Sequence, residues 1–255
     1  MMALPSFSVK DKATIVTGAS RGIGNCLARG FAEAGARVAL VARTVSELEA
    51  TAEGIRSKGG TAIVVPTDVT RRDEVERMVE TVRREFGRID VLLNVAGGAG
   101  DKQLRPPLEI SEDFYDELLA RNLKSVFLVN QAVARVMVEQ GGGCIINFSS
   151  LSGTKPVPME SVAGAAKAGV NHLTRAWAAA LGPFGVRVNA IAPGLTMTPR
   201  AVRGIGEEFV KQYSQVIPLR RPARMEDHLG PAIFLASDAG AYITGAIIPS
   251  DGGPQ

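Results

Sequence analysis

Short, continuous apolar runs alternate with longer amphipathic segments along the chain, and the alternation predicts strand and helix in turn. Ala13–Val16 is the first strand, and the segment that follows keeps helical periodicity as far as Ala34. Arg37–Ala42 (RVALVA) is a second strand, with a helix over Val45–Lys58 that Gly59-Gly60 ends. Thr61–Pro66 (TAIVVP) is a third strand. Over Arg71–Phe86 the apolar residues Val75, Met78, Val79, Val82 and Phe86 share one helical face. Asp90–Val95 is a fourth strand and runs into a glycine loop over Gly98–Pro107. Ser111, followed by Glu112 and Asp113, has the signature of a helix N-cap, and that helix is expected to continue to about Glu139. Cys144–Phe148 is a fifth strand, Val162–Leu181 a long helix, and Val186–Ile191 a sixth strand. Pro193–Pro222, rich in Pro, Thr and Arg, carries no regular pattern. Met225–Ser237 reads as a helix and Ala246–Pro249 as a last strand. Runs that are apolar throughout predict parallel strands buried on both faces.

The stretch around which these elements are arranged is Thr17-Gly18-Ala19-Ser20-Arg21-Gly22-Ile23-Gly24, between the first strand and the first helix. Gly18 can adopt a backbone angle closed to other residues, and glycines let a pyrophosphate approach the main chain. Unpaired N–H groups at the start of the helix then face the phosphates. Strand, glycine turn and helix, repeated along the chain, predict an α/β fold: a single Rossmann-type doubly wound parallel sheet flanked by helices. One domain over 1–255 is expected, with ligands at the carboxyl ends of its strands and a substrate lid over 193–222.

Composition narrows the setting. Of 255 residues 45% are hydrophobic, enough for a sizeable core, and a net charge of +3 without basic clustering gives no nucleic-acid surface. Arg220, Arg221 and Arg224 read as a solvated loop. Cys26 and Cys144 read as small core residues of a reducing compartment. Met1–Lys10 has no signal-peptide character and no apolar run reaches the length of a membrane span, so a cytoplasmic protein without a membrane partner is expected. His172 and His228 lack carboxylate or thiol partners at ligand spacing, and no metal site is expected.

Taken in order, Thr17–Gly24, Asp68-Val69, Asn94-Val95-Ala96-Gly97, Asn122, Ser149-Ser150, Lys167, Arg187-Val188-Asn189, Pro193-Gly194 and Asp251-Gly252-Gly253 strongly resemble the short-chain dehydrogenase/reductase family, over Lys10 to Gly253. The resemblance implies a nicotinamide dinucleotide held by Gly18, Ser20, Arg21, Gly22, Ile23 and Gly24. It implies adenine contacts from Asp68 and Val69, and an adenosine ribose bordered by Asn94, Val95, Ala96 and Gly97. Pro193, Gly194, Thr196 and Thr198 would hold the nicotinamide carboxamide, and Lys167 the nicotinamide ribose. Val95 stands where the family commonly has a second Asn; contacts there are largely main-chain. The resemblance further implies that Asn122 helps hold a water that begins a proton relay to Lys167, that Ser150 hydrogen-bonds the substrate oxygen, and that the chain assembles as a homotetramer through its long helices.

Charge argues the choice of dinucleotide. NAD-preferring members carry an acid at the end of the second strand, where this chain has Ala42 followed by Arg43. An acid would repel a 2′-phosphate, whereas guanidinium groups pair with it through parallel hydrogen bonds. Arg43, with Arg21 from the glycine loop, therefore favours NADP(H).

The family's proton donor is a Tyr four residues before the Lys and thirteen after the Ser. Both spacings land on Ala163. Three readings stay open. The chain is a carbonyl/alcohol oxidoreductase frame with alanine in place of tyrosine, since Ala163–Lys167 differs from Tyr-Gly-Ala-Ala-Lys at one residue. It is an enoyl or 2,4-dienoyl-CoA-type C=C reductase, which does not need that phenol; some of those enzymes carry a substitute Tyr where this chain has Ser152. Or it is a catalytically silent dinucleotide-binding protein. Glu160, Ser161, Tyr115 and Tyr213 are the side chains considered as stand-ins. The small-molecule substrate is not legible in the two loops expected to face it.

Overall fold

The computed structural model describes residues 4–98 and 105–253. Seven strands, β1 (Ala13–Thr17), β2 (Arg37–Ala42), β3 (Thr61–Pro66), β4 (Val91–Asn94), β5 (Gly143–Phe148), β6 (Val186–Pro193) and β7 (Ile247–Ser250), form one sheet in the order β3-β2-β1-β4-β5-β6-β7. Every neighbouring pair is parallel. The order reverses between β1 and β4, as in a doubly wound Rossmann-like fold, and that reversal opens a crevice at the carboxyl edge.

Side chains that alternate along each strand explain why the runs are apolar throughout. Ile15, Val41, Leu92, Ile145 and Val188 point to one face, under α3 (Arg72–Phe86), α5 (Ser125–Glu139) and α6 (Ser161–Leu181). Val16, Leu40, Leu93, Ile146 and Ile191 point to the other, under α1 (Gly22–Glu33), α2 (Val45–Arg56) and α9 (Leu229–Ala236). Both faces are covered, so neither half of the alternation can be polar. On α3 all five residues of the expected apolar face are buried. No helix among the described residues is long and apolar enough to cross a membrane.

The structure refines three expectations. The helix from Ser111 does reach Glu139, but not as one α-helix: α4 (Glu112–Leu119), capped by Ser111 Oγ on the Phe114 amide at 3.3 Å, passes through a π-helical turn at Ala120–Lys124 into α5. The irregular stretch Pro193–Pro222 holds two helices, α7 (Pro199–Gly204) and α8 (Glu207–Val216). Thr198 caps α7 through its hydroxyl and Pro199 occupies the first helical position, where its missing N–H costs nothing. The helix expected from Met225 starts with a 3₁₀ turn, Met225–His228. Of the loop expected over Gly98–Pro107, residues 99–104 lie outside the described residues.

Candidate functional site

The loops leaving β1, β4, β5 and β6 meet at the carboxyl edge of the sheet. Gly18 has φ +70°, and a Cβ there would lie 3.1 Å from the Ala96 backbone. A Cβ on Gly24 would fall 2.3 Å from the Gly18 carbonyl oxygen, so α1 starts in direct contact with its own loop. The N-cap residue Arg21 makes no side-chain capping bond, leaving the first-turn amides without that partner. Two glycines that no side chain could replace, with helix amides behind them, form a cradle that fits a pyrophosphate. Ser20, Gly22 and Ile23 are half-buried in it, Ile23 packing on the core.

The end of β4 is braced from the same strand pair. Thr17 Oγ1 donates to Asn94 Oδ1 at 3.0 Å and accepts the Val95 and Ala96 amides, each at 3.0 Å. Asn94 Nδ2 donates to Asn130 Oδ1 at 3.1 Å. The Asn94 side chain thus looks into the protein and holds Thr17, whose hydroxyl fixes the backbone amides of Val95 and Ala96.

At the β2 end Arg43 is exposed, and Arg21 lies 4.0 Å from Glu47 of α2. Glu47 was not among the expected site residues, although its place in the first turn of α2 is a normal one for an acid. Burial raises the Asp68 pKa, but hydrogen bonds from the Thr70 hydroxyl and amide, with the charges of Arg43 and Arg71, outweigh it and hold the carboxyl below its ordinary value. Thr70 Oγ1 donates to Asp68 Oδ1 at 2.7 Å. Val69 packs on the outer face of the core.

Beyond β5 the chain turns through Ser150 into a 3₁₀ turn, Leu151–Gly153, pressed on α6. A Cβ on Gly153 would lie 2.7 Å from the Lys167 carbonyl carbon, and one on Gly164 would lie 2.7 Å from the Ser152 oxygen. Backbone therefore meets backbone, and Asn171 Nδ2 closes the contact on the Gly153 oxygen at 3.0 Å. This packing sets Ser150, Ala163 and Lys167 in one register. Ser150 Oγ accepts both the Ser152 amide, at 3.2 Å, and the Ser152 hydroxyl, at 3.0 Å, which leaves its own hydrogen to donate. Lys167 Nζ donates to the Phe148 oxygen at 2.7 Å, and burial lowers its pKa from 10.5 to about 8.

Asn122 sits in the π turn, 1% exposed. Its Oδ1 accepts the Gly98 amide at 2.8 Å, and its Nδ2 donates to the Gly98 and Leu118 oxygens at 3.2 and 3.0 Å. Both amide hydrogens are committed, so only Oδ1 retains a lone pair for the water expected beside it. A Cβ on Gly97 would lie 3.0 Å from Asn122 Oδ1 and 3.4 Å from Lys167 Nζ. The three residues converge on one wall of the crevice.

The opposite wall is the segment after β6. Thr198 Cγ2 lies 3.6 Å from where a Gly22 Cβ would stand, which brings this segment to the glycine loop. Pro193 ends β6, and the Gly194 amide bonds the Ser250 oxygen at 3.1 Å. Thr196 is buried, with Oγ1 2.9 Å from His228 Nε2, while His228 Nδ1 lies 2.8 Å from Ser250 Oγ. His228 is a site-adjacent residue the sequence reading missed, because its partners lie far along the chain.

The stand-ins for tyrosine are scattered. Tyr115 is 44% exposed on α4, and Glu160 is half-buried just before α6. Tyr213, on α8, stacks on Phe209, and its hydroxyl accepts the Leu195 amide at 3.4 Å. His172 belongs to a groove between α4, α5 and α6, away from the crevice. Among the described residues no group of three or more His, Cys, Asp or Glu could hold a metal ion.

A family model described as Enoyl-(Acyl carrier protein) reductase matches residues 18–255. The gluconate 5-dehydrogenase of Gluconobacter oxydans is 37% identical over 249 residues, covering 97% of this chain and 96% of that protein. The 3-oxoacyl-[acyl-carrier-protein] reductase FabG of Staphylococcus epidermidis is 37% identical over 244 residues, 95% of this chain and 98% of that one. A solved structure of a short-chain type dehydrogenase/reductase from Mycobacterium marinum superposes with a TM-score of 0.91 at 37% identity, covering 97% of this chain and 96% of its own.

Proposed function

The chain belongs to the short-chain dehydrogenase/reductase family, and on that premise we propose that it is an NADP(H)-dependent oxidoreductase acting between a carbonyl and an alcohol. The observation that carries this reading is the backbone packing of Gly153 on Lys167 and of Gly164 on Ser152, which holds the Ser150 turn against α6, with Lys167 Nζ beside Gly97. When bound, the nicotinamide supplies or accepts a hydride. The residues of the chain do the rest. Gly18–Gly24 and the α1 amides hold the phosphates, and Lys167 donates to the nicotinamide ribose. Ser150, polarised by the two hydrogen bonds it accepts, donates to the substrate oxygen. With no phenol at position 163, the proton that oxygen gains on reduction comes from water, which makes this transfer the slow one.

A second reading, conjugate reduction of an enoyl or dienoyl substrate, is favoured by Ala163 itself and by the description of the matching family model. Loss of NADPH absorbance measured against ketones and enoyl thioesters separates the two. No turnover with either, alongside NADPH binding, leaves the silent dinucleotide-binding protein.

NADPH is expected to bind more tightly than NADH. Arg43 is exposed at the end of β2, and no acid follows that strand. A bidentate charge-assisted contact is worth about 1.5–3 kcal/mol, or roughly tenfold to a hundredfold in affinity. Arg43→Asp should lessen or reverse the preference. Equal dissociation constants for the two cofactors in the unaltered protein, read by fluorescence titration, would refute it.

We further propose a cytoplasmic homotetramer. Leu119, Leu123, Phe127 and Leu173 line a surface groove between α4, α5 and α6, the helices expected to pack against other copies. Light scattering at micromolar concentration should give four times the chain mass; a monomer rules the assembly out.

A further inference from the structure

We infer that His228 is a positioning residue for the segment 193–198: it ties that segment to β7 and so fixes where the nicotinamide is held. The inference rests on the reading of 193–198 as the carboxamide site. His228 is 0% exposed, and both of its ring nitrogens are engaged. Thr196 Oγ1 gives its own hydrogen to the Gly194 oxygen at 3.0 Å, so toward the imidazole it can only accept. Nε2 therefore carries the hydrogen. In the neutral ring Nδ1 then accepts, and its donor is the Ser250 hydroxyl. The result is a one-way chain: Ser250 to Nδ1, Nε2 to Thr196, Thr196 to Gly194. Burial, acting against the nearby Asp227 charge, lowers the His228 pKa and keeps the ring in this neutral form.

The place of the chain in the fold gives it its purpose. The β6–β7 ladder ends at Pro193 and Ser250, so β7 does not pair with the residues that follow Gly194. On one side Thr196 is bridged to Ala223 through the Leu195 oxygen and the Met197 amide, at 2.8 and 2.9 Å. The imidazole, carried on the 3₁₀ turn Met225–His228, supplies the other side and reaches the Thr196 side chain beyond the end of the ladder. An apolar residue at 228 would take the donor from the buried Thr196 hydroxyl and the acceptor from the half-buried Ser250 hydroxyl, and release one edge of the segment.

The test is titration of two ligands against the full-length protein. NADPH reaches the segment, whereas 2′,5′-ADP carries the phosphorylated adenosine half alone and does not. His228→Leu should weaken NADPH about tenfold while leaving 2′,5′-ADP within about twofold. His228→Gln, which can still donate to Thr196, should recover NADPH affinity to within about threefold. Independently, ¹⁵N NMR of the unaltered protein should show a neutral imidazole protonated at Nε2. Equal weakening of both ligands by His228→Leu, no weakening of NADPH, or an Nδ1-protonated ring each overturns the inference. Should NADPH bind the unaltered protein no more tightly than 2′,5′-ADP, the carboxamide reading itself fails and the positioning role falls with it.

Discussion

A tyrosine at position 163 should raise ketone reduction at least a hundredfold. Ala163→Tyr returns a phenol to a frame that already holds Ser150 and Lys167 in register through the Gly153 and Gly164 contacts. General acid catalysis by a positioned side chain contributes about 10²–10⁴-fold, or roughly 3–5 kcal/mol of barrier. Cofactor affinity should hardly change, because the glycine cradle, Asp68 and Lys167 are untouched. Ala163 is 9% exposed, so the larger side chain carries a packing cost of about 1–3 kcal/mol that a melting curve would read. If the substrate is instead an enoyl thioester, Ala163 gives it room; the same substitution then blocks conjugate reduction and gains nothing with ketones. NADPH consumption against both substrate panels, before and after the change, distinguishes the two, and silence in all four measurements refutes both enzyme readings.

NADPH affinity should fall as pH rises through about 8, and Lys167→Met should abolish that dependence. The Lys167 pKa is lowered to about 8 by burial, so its ammonium begins to lose its proton well below the usual range for a lysine. A charged donor to a ribose hydroxyl is worth about 1.5–3 kcal/mol, so Lys167→Met should weaken NADPH roughly tenfold to a hundredfold at pH 7. Above pH 8 the unaltered protein should approach the variant. Fold stability moves the other way. Between about 8 and 10.5 the unfolded chain holds the Lys167 proton and the folded one does not, so this group makes the folded state more stable as pH rises across that window. Titrations at pH 7, 8 and 9 that give one dissociation constant throughout would show that the ammonium does not hold the ribose.

Most of the scaffold was legible because a sheet covered on both faces writes itself as apolar runs, and a helix packed along one side writes itself as spacing. The five apolar positions of α3 are an instance: their period alone identifies the buried face. The π turn at Ala120–Lys124 left no such trace, since one extra residue in a turn shifts the phase without breaking the apolar run. Helix α7 was signalled by Thr198-Pro199, a cap followed by proline, but the surrounding Pro and Arg content obscured it. At the site, the family resemblance implied Ser150, Ala163 and Lys167, whose relation is a count along the chain. It could not give the inward turn of the Asn94 side chain, which follows from Thr17 and Asn130, or the Arg21–Glu47 pair. For His228 the sequence shows only the lack of carboxylate or thiol partners at ligand spacing, because Thr196 and Ser250 lie 32 and 22 residues away and meet it only in three dimensions.

The strand order also bears on how the protein is made. Antiparallel hairpins can close as they emerge, but here every pairing is parallel and joins strands separated by a full crossover. β1 finds β4 some 77 positions later, with Thr14 opposite Val91. Such non-local closure slows folding and prolongs the time during which strand edges are open to wrong partners. β7 comes last of all and brings Ser250 to His228. A nascent chain halted before Ile247 can stack its first crossovers and shape the glycine cradle, yet it lacks the strand to which the 193–198 segment is tied. Synthesis of the sheet's seventh strand is thus the step that completes the far end of the dinucleotide crevice.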